Sequence, residues 1–465
     1  MNNTVTSCNK TIGTVVTVST TTELYNAINL VNSTGGNMTV LIKNGVYPIA
    51  STSWYPYITA NNVVFRSFSG NRDSVILTGT GMKSVSPDVE IGLYAVGNNI
   101  TIADLTIREV GNHGIATVGD SIFIHNVRVQ NTYEQMIKGN GVGDGADYGR
   151  VQCSLMEYTA GIGPEYYIGG IDIHLGDHWI VRDNVFKHIQ SPSVSVAEHA
   201  VHFWKNGSDN TVERNLIINC DRGIGFGLGD SPNTGGKIRN NMIYNDGSGV
   251  FSDVGIGLET SPGTKVYNNS IYINYPNSIE YRWPSTVDVD IKNNLCNKLI
   301  KQRDGAQANL ATNITNAQAD WFADVTEGDL HLISNNPLVV DQGSYLVPEV
   351  VDDIDQLIRP QGAGFDIGAQ EYVIITNAGE VNSSNEISLF PNPVSSDLFI
   401  KSNKGNIYTP KIYNLMGELI ETNMRQIDKS VWTADCRDLV PGLYFCHIIN
   451  SNNELMLVKF VMIAY

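Results

Sequence analysis

The sequence predicts an all-β protein that consists mainly of a solenoid of short strands, with a short helix at its start and a small β-sandwich at its end. Glycine is abundant, at 44 of 465 residues, and long Ala/Leu/Glu/Lys-rich stretches are absent, which favours strands over helices. Short aliphatic runs also recur at intervals of a few tens of residues, a period typical of repeat architectures.

The charge balance narrows the class of partner. The formal net charge is −17 and the pI about 4.9, which argues against a nucleic-acid binder because such a protein needs a basic face. A polyanionic substrate stays compatible, since a local basic groove can lie on an acidic protein. No stretch approaches the roughly 20 apolar residues of a membrane span. The six cysteines form no CxxC pair, so no zinc or redox motif is indicated.

The N-terminal segment predicts one amphipathic helix. Thr20 and Glu23 have the spacing of a capping box, and apolar residues follow at helical spacing: Leu24, Ala27, Ile28 and Val31. A helix before the first strands is expected to cover the open end of the solenoid, where unpaired strand edges would otherwise be exposed.

The repeat is marked by an Asn or Asp at one turn of each coil. Asn184, Asn215, Asn241, Asn269 and Asn294 follow one another at intervals of 31, 26, 28 and 25 residues. Asp104 and Asn126 belong to the same series by sequence pattern, and the gap from Asn126 to Asn184 is expected to contain two coils and an insertion. Stacked amides can form a ladder of side-chain hydrogen bonds, so these residues are predicted to be scaffold rather than site.

This pattern resembles the right-handed parallel β-helix of pectate-lyase-like proteins, over roughly residues 14–372. Asp366–Tyr372 looks like the closing segment of many bacterial members. The resemblance implies a protein that acts on polysaccharides, since many relatives on this fold are lyases of pectate, alginate or chondroitin-like chains. The Asn-Gly-x-Glu signature of alginate and chondroitinase B lyases, the pectate-lyase Asp cluster and the Tyr-Gly-x-Asp-Pro-His motif of mannuronan epimerases are absent, so the substrate is not defined.

The C-terminal part predicts a separate domain. Residues 373–386 are polar and predict a linker between a β-helix domain, residues 1–372, and a tail, residues 387–465. Alternating strands with Gly/Pro turns predict a small β-sandwich for the tail, in four segments: Leu389–Val394, Ile412–Glu418, Leu439–Tyr444 and Lys459–Met462.

In this order the four segments resemble the C-terminal sorting domain of the type IX secretion system of Bacteroidetes. The resemblance implies export by that machinery, to the cell surface or the medium, and cleavage of the tail. No signal peptide is visible at Met1–Thr4, so a protein exported in this way would have had its signal removed. The alternative for the tail is a carbohydrate-binding or fibronectin-like module.

Strand alternation predicts which side chains face outward. With the aliphatic residues placed in the core, one outward stripe contains Lys138, Asp172, His174, Ala200, His202, Trp204, Gly223, Gly225, Gly255, Gly257, Glu259, Glu280 and Arg282. Neighbouring strands lie about 4.8 Å apart, so Lys138, Asp172 with His174, and His202 are expected to line up across successive coils. Outward glycines leave room for a polymer to approach the backbone.

The stripe predicts a site for β-elimination on a uronate. The reaction needs a base at C5, a group that neutralises the carboxylate and an acid for the leaving oxygen. Lys138 or His202 is the candidate base, His174, oriented by Asp172, is the candidate acid, and Arg222 or Arg282 is the carboxylate partner. The catalytic candidates are therefore Lys138, His174, His202 and Arg222. The substrate-binding candidates are Asp172, Trp204, Glu259, Glu280, Arg282 and Tyr166, of which Trp204 and Tyr166 would stack on sugar rings.

Two other functions stay open. A glycoside hydrolase on the same fold would use Asp172, Glu259 and Glu280, because hydrolysis needs two carboxylates, although the Asn-Thr-Asp and Gly-His-Gly motifs of polygalacturonases are missing. A non-catalytic adhesin or glycan-binding solenoid is the third reading.

No cofactor is required by the sequence. Asp144, Asp147 and Asp177 are oxygen ligands of the kind that calcium uses, but they lack EF-hand-like spacing. The expected partners are an acidic polysaccharide and the type IX secretion machinery, and the chain is expected to be a monomer.

Overall fold

A computed structural model describes residues 8–49, 56–82, 91–141, 145–373, 387–403, 407–414, 419–449 and 455–463. The chain divides into two compact units, Met1–Val373 and Ile374–Tyr465. Of the linker predicted at residues 373–386, only Val373 lies within the described residues.

The first unit is a parallel β-solenoid, which confirms the predicted fold class. Successive coils build three parallel sheets, numbered here in the order in which a coil visits them. Sheet 1 has twelve strands: Thr14–Val18, Gly36–Ile42, Asn61–Ser67, Ile100–Ala103, Phe123–His125, Arg150–Gln152, Ile180–Arg182, Thr211–Glu213, Lys237–Arg239, Lys265–Tyr267, Val289–Lys292 and Ala308–Ala311. Sheet 2 has ten: Gly45–Pro48, Val75–Thr78, Thr106–Val110, Arg128–Thr132, Leu155–Glu157, Val185–Lys187, Leu216–Ile218, Met242–Asn245, Ser270–Ile273 and Leu295–Cys296. Sheet 3 also has ten: Tyr57–Ile58, Ile91–Ala95, His113–Thr117, Ile137–Asn140, Ile171–His174, His199–Trp204, Arg222–Phe226, Ile256–Glu259, Asn277–Arg282 and Leu299–Gln302.

The core lies between the three sheets and is filled by columns of apolar side chains. Along sheet 3, one column stacks residues from five successive coils, all of them fully buried: Ile171, Val201, Ile224, Ile256 and Ile279. Burying one such side chain stabilises the fold by about 1.5–3 kcal/mol. The alternation that fills the core also fixes which residues sheet 3 presents on its other face.

The predicted N-terminal helix is Thr21–Thr34. Thr20 Oγ1 accepts a hydrogen bond of 3.1 Å from the Glu23 amide, and Glu23 reaches back to the amide of Ser19 at 2.6 Å, one residue earlier than in a standard capping box. The predicted apolar face is buried, and the helix packs against Thr14–Val18, Gly36–Ile42 and Tyr57–Ile58. It therefore covers the strands that begin the solenoid.

The asparagine ladder forms as predicted from Asn184 onward. Each side-chain amide donates to the next carbonyl oxygen at 2.9–3.0 Å, through Asn184, Asn215, Asn241, Asn269, Asn294 and Asn313. Asp104 and Asn126 were assigned to the same ladder wrongly. They occupy the left-handed backbone position one residue before it and bond to each other at 2.7 Å.

The gap between Asn126 and Asn184 contains two coils, as predicted, with sheet 1 strands at Arg150–Gln152 and Ile180–Arg182. Ser154 takes the ladder position between them, because its amide donates to Asn184 Oδ1 at 2.9 Å.

After the last coil the chain returns along the outside of the solenoid. It forms 3₁₀ turns at Ala319–Trp321 and Val325–Glu327 and an antiparallel pair of strands, Phe322–Asp324 and Asp329–Leu332. Its later backbone carbonyls cover the asparagines at the left-handed turns, where Asn240 donates to Asp352 O and Asn268 to Asp366 O, each at 2.9 Å. Arg359 is buried here and pairs with Glu371.

The second unit contains two antiparallel four-stranded sheets that share one apolar core, as predicted for a β-sandwich. One sheet comprises Ile387–Phe390, Asp397–Ser402, Met424–Asp428 and Val431–Asp435. The other comprises Lys411–Tyr413, Leu419–Ile420, Gly442–Ile449 and Leu455–Met462. Of the predicted segment Ile412–Glu418, residues 415–418 lie outside the described residues.

Candidate functional site

The outward face of sheet 3 aligns the predicted polar residues in one column. Lys138 pairs in register with Asp172, and Asp172 with His202. The column continues through Gly225 and Gly257 to Glu280. The expected alignment across successive coils is therefore confirmed in strand register for Lys138, Asp172 and His202, whereas His174 pairs with Asn140 and Trp204 in a second column.

Asp172 is the centre of this cluster. Its Oδ2 accepts a hydrogen bond from Lys138 Nζ, and its Oδ1 accepts one of 2.8 Å from Trp204 Nε1. Only 2% of Asp172 and 4% of Lys138 are exposed. Burial raises the pKa of Asp172, but contact with His174 and the charge of Lys138 outweigh it and hold the pKa well below its usual range. The carboxylate therefore stays charged.

His174 is more accessible than its two partners in the cluster, Lys138 and Asp172, with 12% of its side chain exposed. Its Nε2 lies 3.0 Å from Lys138 Nζ and 3.4 Å from Asp172 Oδ2. A lysine can only donate and a neutral imidazole accepts at one nitrogen, so this short lysine contact makes Nε2 the acceptor and places the ring hydrogen on Nδ1. Burial lowers the pKa of His174, against the opposing effect of Asp172. A neutral imidazole thus sits beside an ammonium group.

Lys205 completes the surroundings of His174 and was missed by sequence reasoning. Its Nζ lies 3.3 Å from His174 Nδ1 and 4.7 Å from the centre of the Trp204 ring. The side chain is exposed, and it follows the strand in a left-handed turn with φ of 60°. Alternation assigns no direction to such a turn residue, so the sequence held no signal for its position.

His202 and Lys138 were expected to be exposed, and this expectation was wrong. His202 is completely buried: its ring stacks on Trp204, at 5.4 Å, and contacts the tilted ring of His199, at 4.5 Å. Its Nε2 lies 3.1 Å from the carbonyl oxygen of Gly227. Burial lowers the pKa of His202, but the neighbouring carboxylates of Glu198 and Asp172 raise it above its ordinary value.

Trp204 does not offer a free face for stacking on a sugar ring. His202 lies parallel to the ring, with an interplanar angle of 4°, and Lys205 Nζ lies over the ring as well. Its indole N–H is used by Asp172. Trp204 therefore positions the cluster. Tyr166 is half exposed and, among the described residues, makes no hydrogen bond or ring contact with the cluster.

The predicted floor of outward glycines is smaller than expected. Gly225 and Gly257 face outward, but the His199 ring already covers Gly225, since a Cβ there would lie 2.6 Å from that ring. A Cβ on Gly223 would meet the Gly255 carbonyl at 2.1 Å, and one on Gly255 would meet Ile271 at 2.8 Å. Ala200 belongs to the apolar core. Alternation breaks down at these strand starts because the chain turns a corner into sheet 3.

Next to this cluster lies a cavity of about 120 Å³ that contains the remaining candidates. Arg222 opens its strand opposite His199 and pairs with Asp253 at 2.9 Å. The cavity is also lined by Glu259, Glu280, Arg282 and Arg303.

These charged groups neutralise one another. Arg303 donates to Glu280 at 2.6 Å, and Arg282 lies 2.9 Å from Asp304 and 3.7 Å from Glu259. Arg222 and Arg282, the predicted carboxylate partners, are thus already engaged by acidic side chains.

Strand register separates Asp172 from the other two carboxylates proposed for hydrolysis. Asp172 and Glu280 are four strand steps apart in the same column, about 19 Å at the usual strand spacing. A glycosidase pair is separated by about 5–5.5 Å or 6.5–9.5 Å. Of the three carboxylates, only Glu259 and Glu280 lie on adjacent strands.

Of the carboxylates proposed for calcium, that of Asp147 forms a hydrogen bond in a turn of the solenoid. Asp120 Oδ1 accepts from the Asp147 amide at 2.9 Å, and Asp147 Oδ1 accepts from the Asp177 amide at 2.8 Å. Asp120 and Asp147 therefore repeat, at another corner, the coil-to-coil bonding of the asparagine ladder. Asp144 lies outside the described residues.

The tail matches a known family, which defines a class of exported protein. Residues 388–463 match the secretion system C-terminal sorting domain, so the predicted resemblance to a type IX sorting domain is confirmed. This match indicates export by the type IX system, with attachment to the surface or release. No helix among the described residues is both long and apolar enough to span a membrane.

Similar solved structures are parallel β-helix proteins. A pectate lyase, Pel9A, aligns with a TM-score of 0.52 at 12% identity, over 72% of this chain and 88% of that one. An alginate lyase from Paenibacillus sp. strain FPU-7 aligns with a TM-score of 0.41 at 15% identity, over 57% and 98%. PfbA, a surface adhesin of Streptococcus pneumoniae, aligns with a TM-score of 0.31 at 12% identity, over 62% and 87%. No curated protein matches the sequence.

Proposed function

We propose that the protein is an exported polysaccharide lyase that cleaves a uronate-containing acidic polysaccharide by β-elimination. The observation that carries the proposal is the cluster of Lys138, Asp172 and His174. It places a neutral imidazole 3.0 Å from a lysine ammonium that a buried carboxylate holds in place. A proton acceptor and a proton donor in contact are what an elimination requires.

The contacts favour His174 as the base, in place of the acid role expected from sequence. Lys138 turns from His174 to the leaving oxygen, which frees the lone pair of Nε2 to take the C5 proton; the C4–O bond breaks, and a C4–C5 double bond forms. Lys138 donates a proton to the leaving oxygen and regains one from His174 when their contact re-forms. The proton lost from C5 thus ends on the leaving oxygen, and Asp172 keeps its charge throughout.

The exposed Lys205 is the group best placed to neutralise the uronate carboxylate, because its ammonium lies 3.3 Å from His174 Nδ1. Electrostatic stabilisation of the developing enolate is a large part of such catalysis. Trp204 acts as a positioning residue, since its indole N–H holds Asp172, and the fully buried His202 supports it by stacking on its ring. Fold similarity to the pectate lyase Pel9A is compatible with this reaction class but does not define the substrate.

The experiment is a screen of the full chain against polygalacturonate, alginate, hyaluronan and chondroitin sulfate. A lyase produces an unsaturated uronate that absorbs in the near ultraviolet, together with new reducing ends. Reducing ends without this absorbance would instead indicate hydrolysis at Glu259 and Glu280, and binding without either product would indicate an adhesin.

Two variants test the assignment of the base. His174→Gln is expected to lower kcat/KM by about 10²–10⁴-fold. The control is His178→Gln, on a nearby turn where the ring stacks on Tyr148 outside the cluster. Equal loss in the two variants, or none in His174→Gln, contradicts the assignment.

A further inference from the structure

Three side chains at the start of the strand His199–Trp204 converge on one point. Glu198 Oε2 lies 3.3 Å from His202 Nδ1 and 3.8 Å from His199 Nδ1. All three atoms lie within 4.8 Å of one another. None of them belongs to the proposed proton transfer at His174. Strand parity predicts that Glu198 faces outward with His202 and could orient it, whereas strict alternation would place His199 on the opposite face.

These three atoms have no hydrogen-bond partner among the described residues, although they are buried. The side chain of His202 is 0% exposed and that of His199 is 8% exposed. Buried polar atoms without partners are uncommon in native proteins, and each one needs an explanation. Because the three atoms face one common centre, they are arranged to bind an electrophile such as a metal ion.

The other nitrogen of His202 fixes the direction of its lone pair. Nε2 lies 3.1 Å from the carbonyl oxygen of Gly227, and a carbonyl can only accept, so Nε2 carries a hydrogen. Metal binding releases any proton on Nδ1, which then presents its lone pair toward Glu198 and His199. Histidines that bind metals almost always donate their second nitrogen in this way.

The position of His199 depends on a glycine of the next coil. A Cβ on Gly225 would lie 2.6 Å from both Cε1 and Nε2 of the His199 ring. At Gly257, one coil further, a Cβ would lie 3.8 Å from His199 Nε2 and 3.3 Å from Val254 Cγ1. Gly225 therefore provides the space that lets His199 turn toward Glu198 and His202.

We propose that Glu198, His199 and His202 bind a divalent transition metal ion of the zinc class. Two imidazoles and one carboxylate are a donor set of catalytic zinc sites, with bonds of about 2.0–2.2 Å. A tetrahedral ion with such bonds separates its ligand atoms by about 3.3–3.6 Å, so a small closure of His199 suffices. Imidazole nitrogens favour zinc, copper or nickel over calcium. Three protein ligands leave one coordination position for water or a sugar oxygen.

The metal would also stiffen the proposed active site. His202 stacks on Trp204, and Trp204 donates to Asp172, so an ion at His202 anchors the stack that holds the Asp172 carboxylate. The ion is a separate feature from the proton transfer at His174, and its presence is measured without any substrate.

The test uses the full chain, freed of metal with a chelator and then titrated with Co²⁺ and, in competition with a chromophoric chelator, with Zn²⁺. We expect one equivalent per chain, a visible Co²⁺ spectrum typical of tetrahedral coordination, and a higher melting temperature with Zn²⁺. Glu198→Gln and His199→Gln are each expected to weaken binding at least tenfold, whereas His188→Gln, a histidine outside the trio, binds as the wild type does.

Two glycine variants test the metal site without removing any of its three ligands. Gly225→Ala retains all three ligands but displaces His199, so it should lose the Co²⁺ spectrum, while Gly257→Ala should keep it. Circular dichroism checks that each variant is folded. A wild type that binds no Co²⁺ or Zn²⁺, or a folded Gly225→Ala that binds both normally, would show that Glu198 and His202 form an ion pair only. Metal binding without turnover on any polysaccharide would support the site and overturn the proposed lyase.

Discussion

Trp204 and Asp172 are joined across two successive coils by a hydrogen bond of 2.8 Å from the indole nitrogen to Oδ1. In strand register Trp204 pairs with His174, and Asp172 with His202, so this bond runs diagonally between the pairs. It fixes one oxygen of Asp172 and leaves the other to Lys138 and His174.

Trp204→Phe is expected to keep the stack on His202 and to remove this bond. Hydrogen bonds to charged groups stabilise proteins by about 1.5–3 kcal/mol, so both stability and turnover should fall. Trp179→Phe is the matched control, because Trp179 is fully buried in the core and donates to Ala146 O at 2.5 Å. It should lose stability while kcat is retained. Equal kcat in the two variants would contradict the positioning role of Trp204.

Lys138 and Asp172 form a buried ion pair, so removing one partner should strongly destabilise the protein. Lys138→Met and Asp172→Leu are each expected to destabilise the protein by about 3–5 kcal/mol, because each leaves an uncompensated charge. The double variant should recover a large part of that loss. Urea denaturation of the four proteins measures the coupling free energy, and additive losses would show that the pair is not coupled.

The pH dependence of turnover should reflect His174. Its pKa is lowered below the ordinary 6.5 by burial, and Asp172, Lys138 and Lys205 are the charged groups that face it. The base is active when neutral, so kcat/KM should stay high as the pH falls through 6.5 and decline only below it. A decline of kcat/KM that begins well above pH 6.5 would assign the acid limb to another group.

His113 should make stability pH-dependent in a separate way. Burial lowers its pKa to about 4, with Lys138 adding to this effect and Asp172 opposing it, and Glu134 lies 3.7 Å away. The folded state disfavours the charged ring, so its contribution is complete above about 6.5 and is lost as the pH falls toward 4. One pKa unit corresponds to about 1.4 kcal/mol, so the full effect is about 3 kcal/mol.

His113→Asn retains a donor for the Gln135 carbonyl, which His113 Nδ1 contacts at 3.1 Å. The wild type should therefore lose stability relative to this variant between pH 6.5 and pH 4. Parallel denaturation curves over that range would show that His113 is not responsible.

The sorting domain should be dispensable for folding and turnover of the β-helix. A chain that ends at residue 380 retains the whole first unit and the cluster around Asp172, so it should unfold cooperatively and turn over substrate at the full-length rate. An unfolded product would show that the boundary is misplaced.

The fold and the alignment of Lys138, Asp172 and His202 were predictable because both follow from local periodicity. Alternation with a period of two places every second residue on the same face, and the aliphatic residues set the phase. The same reasoning predicted the asparagine ladder from Asn184 onward. It shifted Asp104 and Asn126 by one residue, because Asn and Asp also favour the left-handed position that precedes the ladder.

The burial of the cluster was not predictable from local pattern. His202 is buried because Trp204, two residues further along the same strand, folds back over its ring. His199 points outward because glycine occupies position 225 on a strand from the next coil. Both facts depend on contacts between side chains whose register is fixed only in the folded solenoid. The charge pairing of Arg222 and Arg282 with Asp253 and Asp304 is non-local in the same sense.

The coil-by-coil register of sheet 3 fixes the distances between groups on its outward face. Each coil extends the outward column by about 4.8 Å, and His174 and Glu280 lie on different coils. Adding or deleting a whole coil between them would change the length of polymer that the face can span while leaving the immediate surroundings of each residue intact. Reach and chemistry are thus separate variables in this architecture.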